Sequence, residues 1–275
     1  MHPVVVRLND SVTIIHGDCR DVLPLKCETC FGEGVLVPVG GEESKCPNCD
    51  SGTVCIDAII SDPPYGMGLT HGNRAKTAKQ KDAHLWGKQW GMITGDDKPF
   101  DPSPWLHSAV TVLWGANHYC AELPSGKKWL CWFKGTPDGM SYSDCELAWT
   151  SVGGGGVEMK SILWSGFRRE TEVREHYHPT QKPVALMEWC MDRAKVPQGA
   201  TVLDPYMGSG TTGIACIRTG RKFIGIEIDA GHFETARKRM EAELMQGTFD
   251  FSGGAVAPTH NPTGQGMTHE TKKEV

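Results

Sequence analysis

Residues 56–66 read IDAIISDPPYG, and this stretch predicts the architecture around it. The apolar, β-branched half, 56–61, has the length and composition of a buried parallel strand. The prolines end that strand, because neither can donate a ladder hydrogen bond and each restricts the residue before it. We expect a rigid elbow that presents the Asp62 carboxylate and the Tyr65 ring at the carboxyl edge of a sheet, where open α/β sheets bind ligands.

A second motif lies downstream, where residues 201–212 read TVLDPYMGSGTT. This pattern predicts a strand, a glycine turn and a helix from about Thr211 to Arg218. Glycines let the backbone approach a ligand closely, and a helix start offers unpaired N–H groups. The motif is neither a Walker loop nor the dinucleotide GxGxxG. The next predicted strand, 223–229, ends in acidic residues about 20 positions further on, where a ribose hydroxyl would be held.

Together the two motifs resemble those of the S-adenosylmethionine-dependent DNA amino-methyltransferases. In that family Asp-Pro-Pro-Tyr is the catalytic motif, and Asp-Pro-Phe-x-Gly-Ser-Gly-Thr-Thr is the cofactor motif, in which Tyr206 here replaces the Phe. The order, catalytic before cofactor, matches the permuted β group. Residues 178–183, HPTQKP, look like the motif that this group places beside the methionine end of the cofactor. The resemblance covers about residues 11–26 and 55–243.

The resemblance implies an α/β fold: a doubly wound, Rossmann-like methyltransferase sheet, circularly permuted, built from residues 1–26 and 51–245. It assigns the catalytic role to the elbow, namely Asp62, Pro63, Pro64 and Tyr65. The residues it implies for cofactor binding are Asp18, Thr180, Lys182, Asp204, Pro205, Tyr206, Gly208, Ser209, Gly210, Thr211, Thr212 and Glu227. For Asp18, a helix N-cap is an equally good and compatible interpretation.

The chemistry of the elbow suits an exocyclic amine, whose lone pair is delocalised into the base. Hydrogen-bond acceptors at the amine hydrogens favour its rehybridisation, and Asp62 and the Pro63 carbonyl are the expected acceptors. The base must leave the duplex to reach them, and Tyr65 would stack on it. Family members with Ser in the first position favour cytosine, so Asp62 favours N6 of adenine. N4 of cytosine, a protein glutamine and an idle zinc and DNA-binding module remain the alternatives.

Four cysteines interrupt the chain between the first strands and the elbow. Two Cys-x-x-Cys pairs separated by 15 residues have the spacing of a four-thiolate zinc site. The intervening residues, 31–45, can form a hairpin, and acidic side chains outnumber basic ones. We therefore expect residues 27–50 to be a zinc-ribbon insert with a structural Zn²⁺, and a protein-contact role is the alternative. The predicted ligands are Cys27, Cys30, Cys46 and Cys49.

Two basic stretches are candidates for contacts with duplex DNA. The loop 71–88 follows the elbow and interleaves its lysines with Trp86 and Trp90, a composition that suits a DNA backbone. The segment 160–178 corresponds by position to the family's target-recognition region, although charge alone cannot separate base reading from phosphate contact. For both stretches a solvated surface is the alternative. The predicted DNA-binding residues are Arg74, Lys76, Lys79, Lys81, Arg168 and Arg169.

The remaining elements are predicted from the periodicity of apolar residues and from the positions of glycine and proline. Helices are expected at 101–109, 183–195 and 231–245, strands at 110–114, 129–134 and 145–150, and a flexible glycine hinge at 153–156. In the last helix, Arg237, Lys238 and Arg239 are expected on a solvated face. Asn117, His118 and Lys134 are polar groups at strand ends. The family places similar groups near the base pocket, but structural roles are as well supported. Residues 246–275 are predicted to be a disordered tail.

Composition limits the class of protein. A chain of 275 residues suits one domain plus small additions, and its net charge of −5 means that any DNA-binding surface must be local. No apolar run reaches membrane-spanning length and the N-terminus lacks a signal-peptide layout, so we expect no membrane partner and a cytoplasmic protein of a bacterial or phage-infected cell. Eleven cysteines in such a protein favour metal ligation and buried thiols over disulfides. The sequence leaves a homodimer open.

Overall fold

The structure is a computed structural model. It describes residues 3–22, 36–38, 53–66, 94–135, 143–165, 168–172, 177 and 181–250. At 36–38, 53–55, 165, 168 and 247–250 the description covers the backbone alone. Among the helices in these ranges, none is long and apolar enough to cross a membrane.

The chain alternates strands with a few helices. The strands are β1 (Val4–Asn9), β2 (Val12–His16), β3 (Leu36–Pro38), β4 (Thr53–Cys55), β5 (Ala58–Ser61), β6 (Val110–Trp114), β7 (Lys128–Phe133), β8 (Cys145–Thr150), β9 (Gly156–Ser161), β10 (Trp164–Ser165), β11 (Arg168–Arg169), β12 (Thr201–Asp204) and β13 (Lys222–Glu227). The helices are α1 (Cys19–Val22), α2 (Val184–Arg193), α3 (Thr211–Arg218) and α4 (Ala230–Asp250).

Nine strands form one mixed sheet in the order β1-β2-β13-β12-β5-β6-β8-β7-β9. The five strands from β2 to β6 in this order run parallel, whereas β1 at one edge and β8 near the other are antiparallel to their neighbours. Since β8 reverses direction between β6 and β7, the end of β7 and the start of β8 lie at the same edge as the carboxyl ends of the parallel strands. The α/β fold and the buried parallel strand at the elbow are therefore confirmed.

The sheet is covered on both faces, which explains why its central strands are apolar along their whole length. One face packs against α2, α3 and α4 through side chains such as Leu186, Ile214 and Met240. The other face packs against α1 and the irregular segments around Trp105 and Tyr119. Burial on both sides fixes the register of the strands, and this holds their carboxyl ends level.

Several element boundaries differ from the prediction. The helix expected at 101–109 is a single 3-10 turn, Ser103–Trp105. Pro102, which precedes the turn, and Pro104 within it have no backbone N–H to donate. The Trp105 carbonyl accepts a hydrogen bond from the Thr111 hydroxyl at 3.0 Å instead of continuing a helix. The predicted hinge ends at Gly156, where the unpredicted edge strand β9 begins and pairs in parallel with β7. The short hairpin of β10 and β11 was also unpredicted, because two-residue strands carry no periodicity. Helix α4 continues past the predicted end at 245 to Asp250.

The predicted insert is only partly described. β3 lies within the residues expected to form a hairpin, and it pairs with β4, which lies beyond the expected end of the insert at Asp50. The four cysteines, the basic loop 71–88 and the tail from 251 onward lie outside the described residues. In the ranges that are described, no group of three or more His, Cys, Asp or Glu could hold a metal ion.

Candidate functional site

The carboxyl ends of three parallel strands place acidic side chains at one edge of the sheet, two of them in a cleft and the third bonded to a glycine that lines it. Asp62 follows β5, Asp204 ends β12 and Glu227 ends β13. In sheet order β12 lies between the other two strands, so Asp204 occupies the middle position. The cleft between the elbow and the glycine turn is lined by Asp62, Gln181, Lys182, Met187, Asp204, Tyr206, Met207, Gly208, Ser209, Thr211 and Thr212.

Both carboxylate oxygens of Asp62 are engaged within the protein. Oδ1 accepts a hydrogen bond from the Tyr65 hydroxyl, and Oδ2 forms an ion pair with the Lys182 ammonium. Beyond the prolines, the Gly66 amide donates to Asp96 at 2.9 Å and thereby fixes the far end of the elbow. The prediction of a rigid elbow that presents a carboxylate to the sheet edge agrees with this arrangement.

Two features of the surroundings of Asp62 have opposite effects on its pKa. Burial raises the pKa of Asp62 above its ordinary value, and the Lys182 ammonium counteracts this shift. Burial, together with the Asp62 charge, raises the pKa of Tyr65 well above the ordinary value for a phenol. Tyr65 therefore keeps its proton and acts as the donor in its bond to Asp62.

The Tyr65 ring is held from two sides by the turn after β6. His118 stacks on it with a centroid distance of 5.0 Å and an interplanar angle of 13°. Gly115 has a φ of +67°, and a Cβ at this position would lie 1.9 Å from Cε1 of Tyr65. The sequence marked His118 only as a polar group at a strand end. Gly115 was missed, because nothing near it in the sequence shows that the Tyr65 ring contacts it.

Asp204 organises the start of the glycine turn from a buried position. It accepts hydrogen bonds from the Ser61 hydroxyl at 2.6 Å, the Thr212 hydroxyl at 2.7 Å and the Tyr206 amide at 3.1 Å. Burial raises its pKa to about 6, although the two hydroxyl bonds favour the ionised form. Asp204 thus joins β5, the turn after β12 and helix α3, so its first role is to shape the cleft.

Glu227 receives two backbone donors. The Gly208 amide donates to Oε2 at 2.9 Å and the Asp229 amide donates to Oε1 at 2.8 Å. Burial nevertheless raises the pKa of Glu227 to about 7. Gly208 has a φ of +52°, and a Cβ built on it would meet nothing within 4 Å, so the turn leaves open space there. This arrangement offers a carboxylate beside accessible backbone, which suits a hydroxylated ligand.

A second set of contacts holds the turn from behind. Arg239 of α4 donates to the Ser209 carbonyl at 2.6 Å and forms an ion pair with Glu172 at 3.3 Å. Glu172 also accepts from the amide of Val184 at 3.0 Å, at the start of α2. These residues connect the segment after β11 to the glycine turn. The sequence did not indicate Arg239, which was assigned to the solvated face of its helix and is in fact buried.

The remaining predicted residues are distributed as follows. The Asp18 carboxylate forms an ion pair with Arg20, whose guanidinium holds the pKa of Asp18 below its ordinary value. The preceding residue, Gly17, donates its amide hydrogen to the Glu227 carbonyl at 2.9 Å. This backbone bond places Asp18 next to the end of β13. The Arg169 guanidinium lies 4.1 Å from the centroid of the Trp164 ring. Of Arg168 only the backbone is described, and Thr180, Arg74, Lys76, Lys79 and Lys81 lie outside the described residues.

Comparison with known proteins finds one matching family model and several similar proteins. Residues 124–238 match the family model N6_N4_Mtase, described as DNA methylase. The Type II methyltransferase M2.DpnII of Streptococcus pneumoniae is 42% identical over 88 residues, which are 32% of this chain and 32% of that protein. The Type II methyltransferase M2.LlaDCHI of Lactococcus lactis subsp. cremoris is 33% identical over 148 residues, 51% of this chain and 45% of that protein.

The DNA adenine methyltransferase YhdJ of Escherichia coli (strain K12) is 47% identical over 81 residues, which are 29% of this chain and 27% of that protein. The chain therefore spans less than half the length of each of these curated relatives. The matched family segment contains β12, the glycine turn and β13, so it includes the residues that form one side of the cleft.

Proposed function

We propose that this protein is a DNA methyltransferase that transfers the methyl group of S-adenosylmethionine to N6 of adenine in duplex DNA. The observation that carries the proposal is the cleft itself, which is lined both by the Asp62 carboxylate and by the glycine turn that Glu227 holds through the Gly208 amide. The match of residues 124–238 to a DNA methylase family supports it. The adenine specificity is supported by Asp62 and by the name of one relative, a DNA adenine methyltransferase.

The residues around the glycine turn fit the proposed cofactor. Glu227 is an acceptor for the ribose hydroxyls, and the open space at Gly208 lets the ligand approach the backbone. The Tyr206 ring is partly buried beside Phe100 and Trp105, where it borders the cleft. When bound, S-adenosylmethionine supplies an electrophilic methyl group on sulfur. The further candidates are those given by the family motif: Asp18, Thr180, Lys182, Asp204, Pro205, Ser209, Gly210, Thr211 and Thr212.

The elbow supplies the acceptors for the target amine. Asp62 lies at the carboxyl edge beside the cleft, and the Pro63 carbonyl follows it in the elbow. The Tyr65 hydroxyl donates one hydrogen bond to Oδ1 of Asp62, and the carboxylate keeps further lone pairs as acceptors for an incoming amine. The flipped base would stack on the Tyr65 ring, one face of which lies against His118. Because His118 is exposed, a base that stacks on that face can displace it.

Product identification tests the proposed function directly. Duplex DNA incubated with the protein and S-adenosylmethionine is expected to yield N6-methyladenine on digestion to nucleosides and mass spectrometry. N4-methylcytosine as the sole product would overturn the adenine assignment and leave the DNA methyltransferase standing. Methylation of a protein glutamine, or cofactor binding with no transfer to any DNA, would overturn the function as a whole.

Cofactor affinity is expected to rise between pH 6 and pH 8. Burial raises the pKa of Glu227 to about 7, so the group loses its proton across this window. The ionised carboxylate is an acceptor at both oxygens, whereas the protonated form has one oxygen that donates instead. Isothermal titration calorimetry at pH 6, 7 and 8 should therefore show tighter binding at each step. Glu227→Gln should bind more weakly and lose the pH dependence, and a variant that keeps it would show that another group titrates.

The finer assignments extend the proposal. We infer the permuted β group from the order of the motifs, with residues 1–26 and 51–245 as the catalytic domain. DNA contacts are proposed for Arg74, Lys76, Lys79, Lys81, Arg168 and Arg169. A duplex-DNA substrate in a bacterial or phage-infected cell would place the activity in the cytoplasm, within restriction-modification or a related system. A homodimer remains the proposed oligomer to test by light scattering.

Residues 27–50 are proposed to bind one structural zinc ion. The support is the spacing of Cys27, Cys30, Cys46 and Cys49. Metal analysis of the purified protein should give about one zinc per chain, and replacing Cys27 and Cys46 with Ser should remove it. Because the insert precedes β5 in the chain and contributes no predicted catalytic residue, S-adenosylmethionine binding should survive the loss of zinc. A freshly purified protein without zinc would eliminate the ribbon.

A further inference from the structure

Four charged side chains form a cluster behind the proposed catalytic carboxylate. The Lys182 ammonium, whose side chain is 4% exposed, pairs with Asp62 and lies 3.2 Å from Oε2 of Glu146. The other oxygen of Glu146 pairs with the ammonium of Lys134. The four groups come from different elements: the elbow after β5, the segment before α2, β8 and the end of β7. Glu146 is absent from the motifs that indicated the site.

The cluster is balanced in charge, with two carboxylates and two ammonium groups. Removing ions from water is costly unless each has partners, and Lys182 is almost fully buried. Its ammonium is shared between two carboxylates, and Lys134 supplies the charge that the second carboxylate would otherwise lack. Asp62 alone would balance the charge of Lys182, so Glu146 adds a second negative charge that Lys134 has to balance. The pairing of one lysine with two carboxylates therefore requires an explanation beyond neutralising the charge of a buried lysine.

We propose that Glu146 is a positioning residue for methyl transfer: it holds the Lys182 ammonium in place while the charge of Asp62 changes during the reaction. This inference rests on the proposed function. Asp62 would touch the substrate amine, whereas Glu146 acts through Lys182. Lys134 in turn supports Glu146 from the end of β7.

The charge balance of the reaction shows why a second partner is needed. The new bond forms between the amine nitrogen and the methyl carbon, and the carbon–sulfur bond breaks with its electron pair remaining on sulfur. The nitrogen, now positively charged, gives up a proton, which the Asp62 carboxylate can accept. Asp62 is then neutral, and Lys182 loses the counter-ion on that side. Glu146 keeps the ammonium paired at this stage, so Lys182 neither moves nor gives up its proton.

The electrostatic surroundings are consistent with this role. Burial raises the pKa of Asp62, with Lys182 opposing and Glu146 reinforcing the shift. Burial would lower the pKa of Lys182, but the two carboxylates outweigh it and raise that pKa. Burial likewise opposes ionisation of Glu146, yet Lys182 and Lys134 lower its pKa to about 2. The other titratable groups that face Asp62 are Tyr65, Tyr119 and Asp204.

Two variants test the proposal, because they should shift the acid limb of the kcat–pH profile in opposite directions. Glu146→Gln keeps the size of the side chain and removes a negative charge, so the acid limb of the kcat profile should move to lower pH, on the order of one unit. Lys134→Met removes a positive charge and should move the same limb to higher pH. The kcat of Glu146→Gln should fall about tenfold, with KM for DNA within about twofold of wild type. Saturating S-adenosylmethionine keeps the titration of Glu227 out of the measurement.

Glu158→Gln is the matched control, because Glu158 also pairs with a lysine of β7, Lys128, but lies on the edge strand β9. It should change neither kcat nor the pH profile. The proposal is overturned if the Glu146 and Lys134 variants match this control, or if both lose activity without moving the acid limb. Should Glu146→Gln fail to fold in a thermal melt, the upward shift in Lys134→Met decides the question. Absence of transfer by the wild type would instead refute the proposed function.

Discussion

Asp62→Asn is expected to lower the rate of methyl transfer by at least about a thousandfold, roughly 4 kcal/mol of transition-state stabilisation. The amide has nearly the shape of the carboxylate, but it replaces one acceptor oxygen by a donor and removes the charge that pairs with Lys182. Lys182 retains Glu146 as a partner, so the elbow should keep its place. Single-turnover kinetics with radiolabelled S-adenosylmethionine measures the loss at the chemical step.

Cofactor binding separates a catalytic defect from a structural one in this variant. Glu227 and Gly208 are bonded to each other, and Asp62 is bonded instead to Tyr65 and Lys182, so the dissociation constant for S-adenosylmethionine should stay within about threefold of wild type. Asp10→Asn, in the exposed turn between β1 and β2, is the control and should leave both quantities unchanged. A fully active Asp62→Asn would contradict the role assigned to the elbow.

The sheet edge could be predicted because its signals are local. Each of the three acidic groups ends an apolar run or is followed by proline or glycine, and parallel strands bring such ends together whatever the order of the strands. The helix at Thr211–Arg218 was predicted with its observed limits, since the glycine turn fixes its start. The sequence alone therefore predicts that Asp62, Asp204 and Glu227 lie at one edge of the sheet.

The supporting residues could not be predicted, because their partners are distant in the chain. Lys182 was assigned to the cofactor through a motif resemblance, whereas its ammonium contacts Asp62 and Glu146. Arg239 was assigned to a solvated helix face together with Arg237 and Lys238, and those two neighbours do pair with Glu234 on the surface. Only the packing of α4 on the glycine turn distinguishes Arg239 from those neighbours.

The edge strand β9 failed to be predicted for another reason. Its side chains are mostly exposed, including the apolar Val157 and Met159. The alternation of apolar and polar residues extends only from Val157 to Lys160 and follows a glycine run, so it is a weak signal for a strand. β9 is defined by its backbone hydrogen bonds to β7, and its side chains give no sequence signal of that pairing.

Gly115→Ala is expected to reduce kcat by about a hundredfold, because the turn after β6 and the Tyr65 ring cannot both keep their places. The added methyl would lie 1.9 Å from Cε1 and 2.1 Å from Cζ of Tyr65, and the φ of +67° strains any residue with a Cβ. The Tyr65 ring must then shift, and it would carry its hydroxyl away from Asp62 and its face away from the base. Binding of S-adenosylmethionine should change little, since the glycine turn and Glu227 are untouched.

Gly126→Ala provides a control for backbone strain in this experiment. Gly126 has a φ of +74°, close to that of Gly115, but a Cβ there would meet nothing within 4 Å. Gly126→Ala should therefore lose on the order of 1 kcal/mol of stability from backbone strain alone, whereas Gly115→Ala should lose this amount and, in addition, the cost of displacing the Tyr65 ring, in thermal or denaturant unfolding. Only Gly115→Ala should lose methyl transfer. If the two variants are equally active at a temperature where both are folded, the Tyr65 ring does not need the position that Gly115 and His118 define.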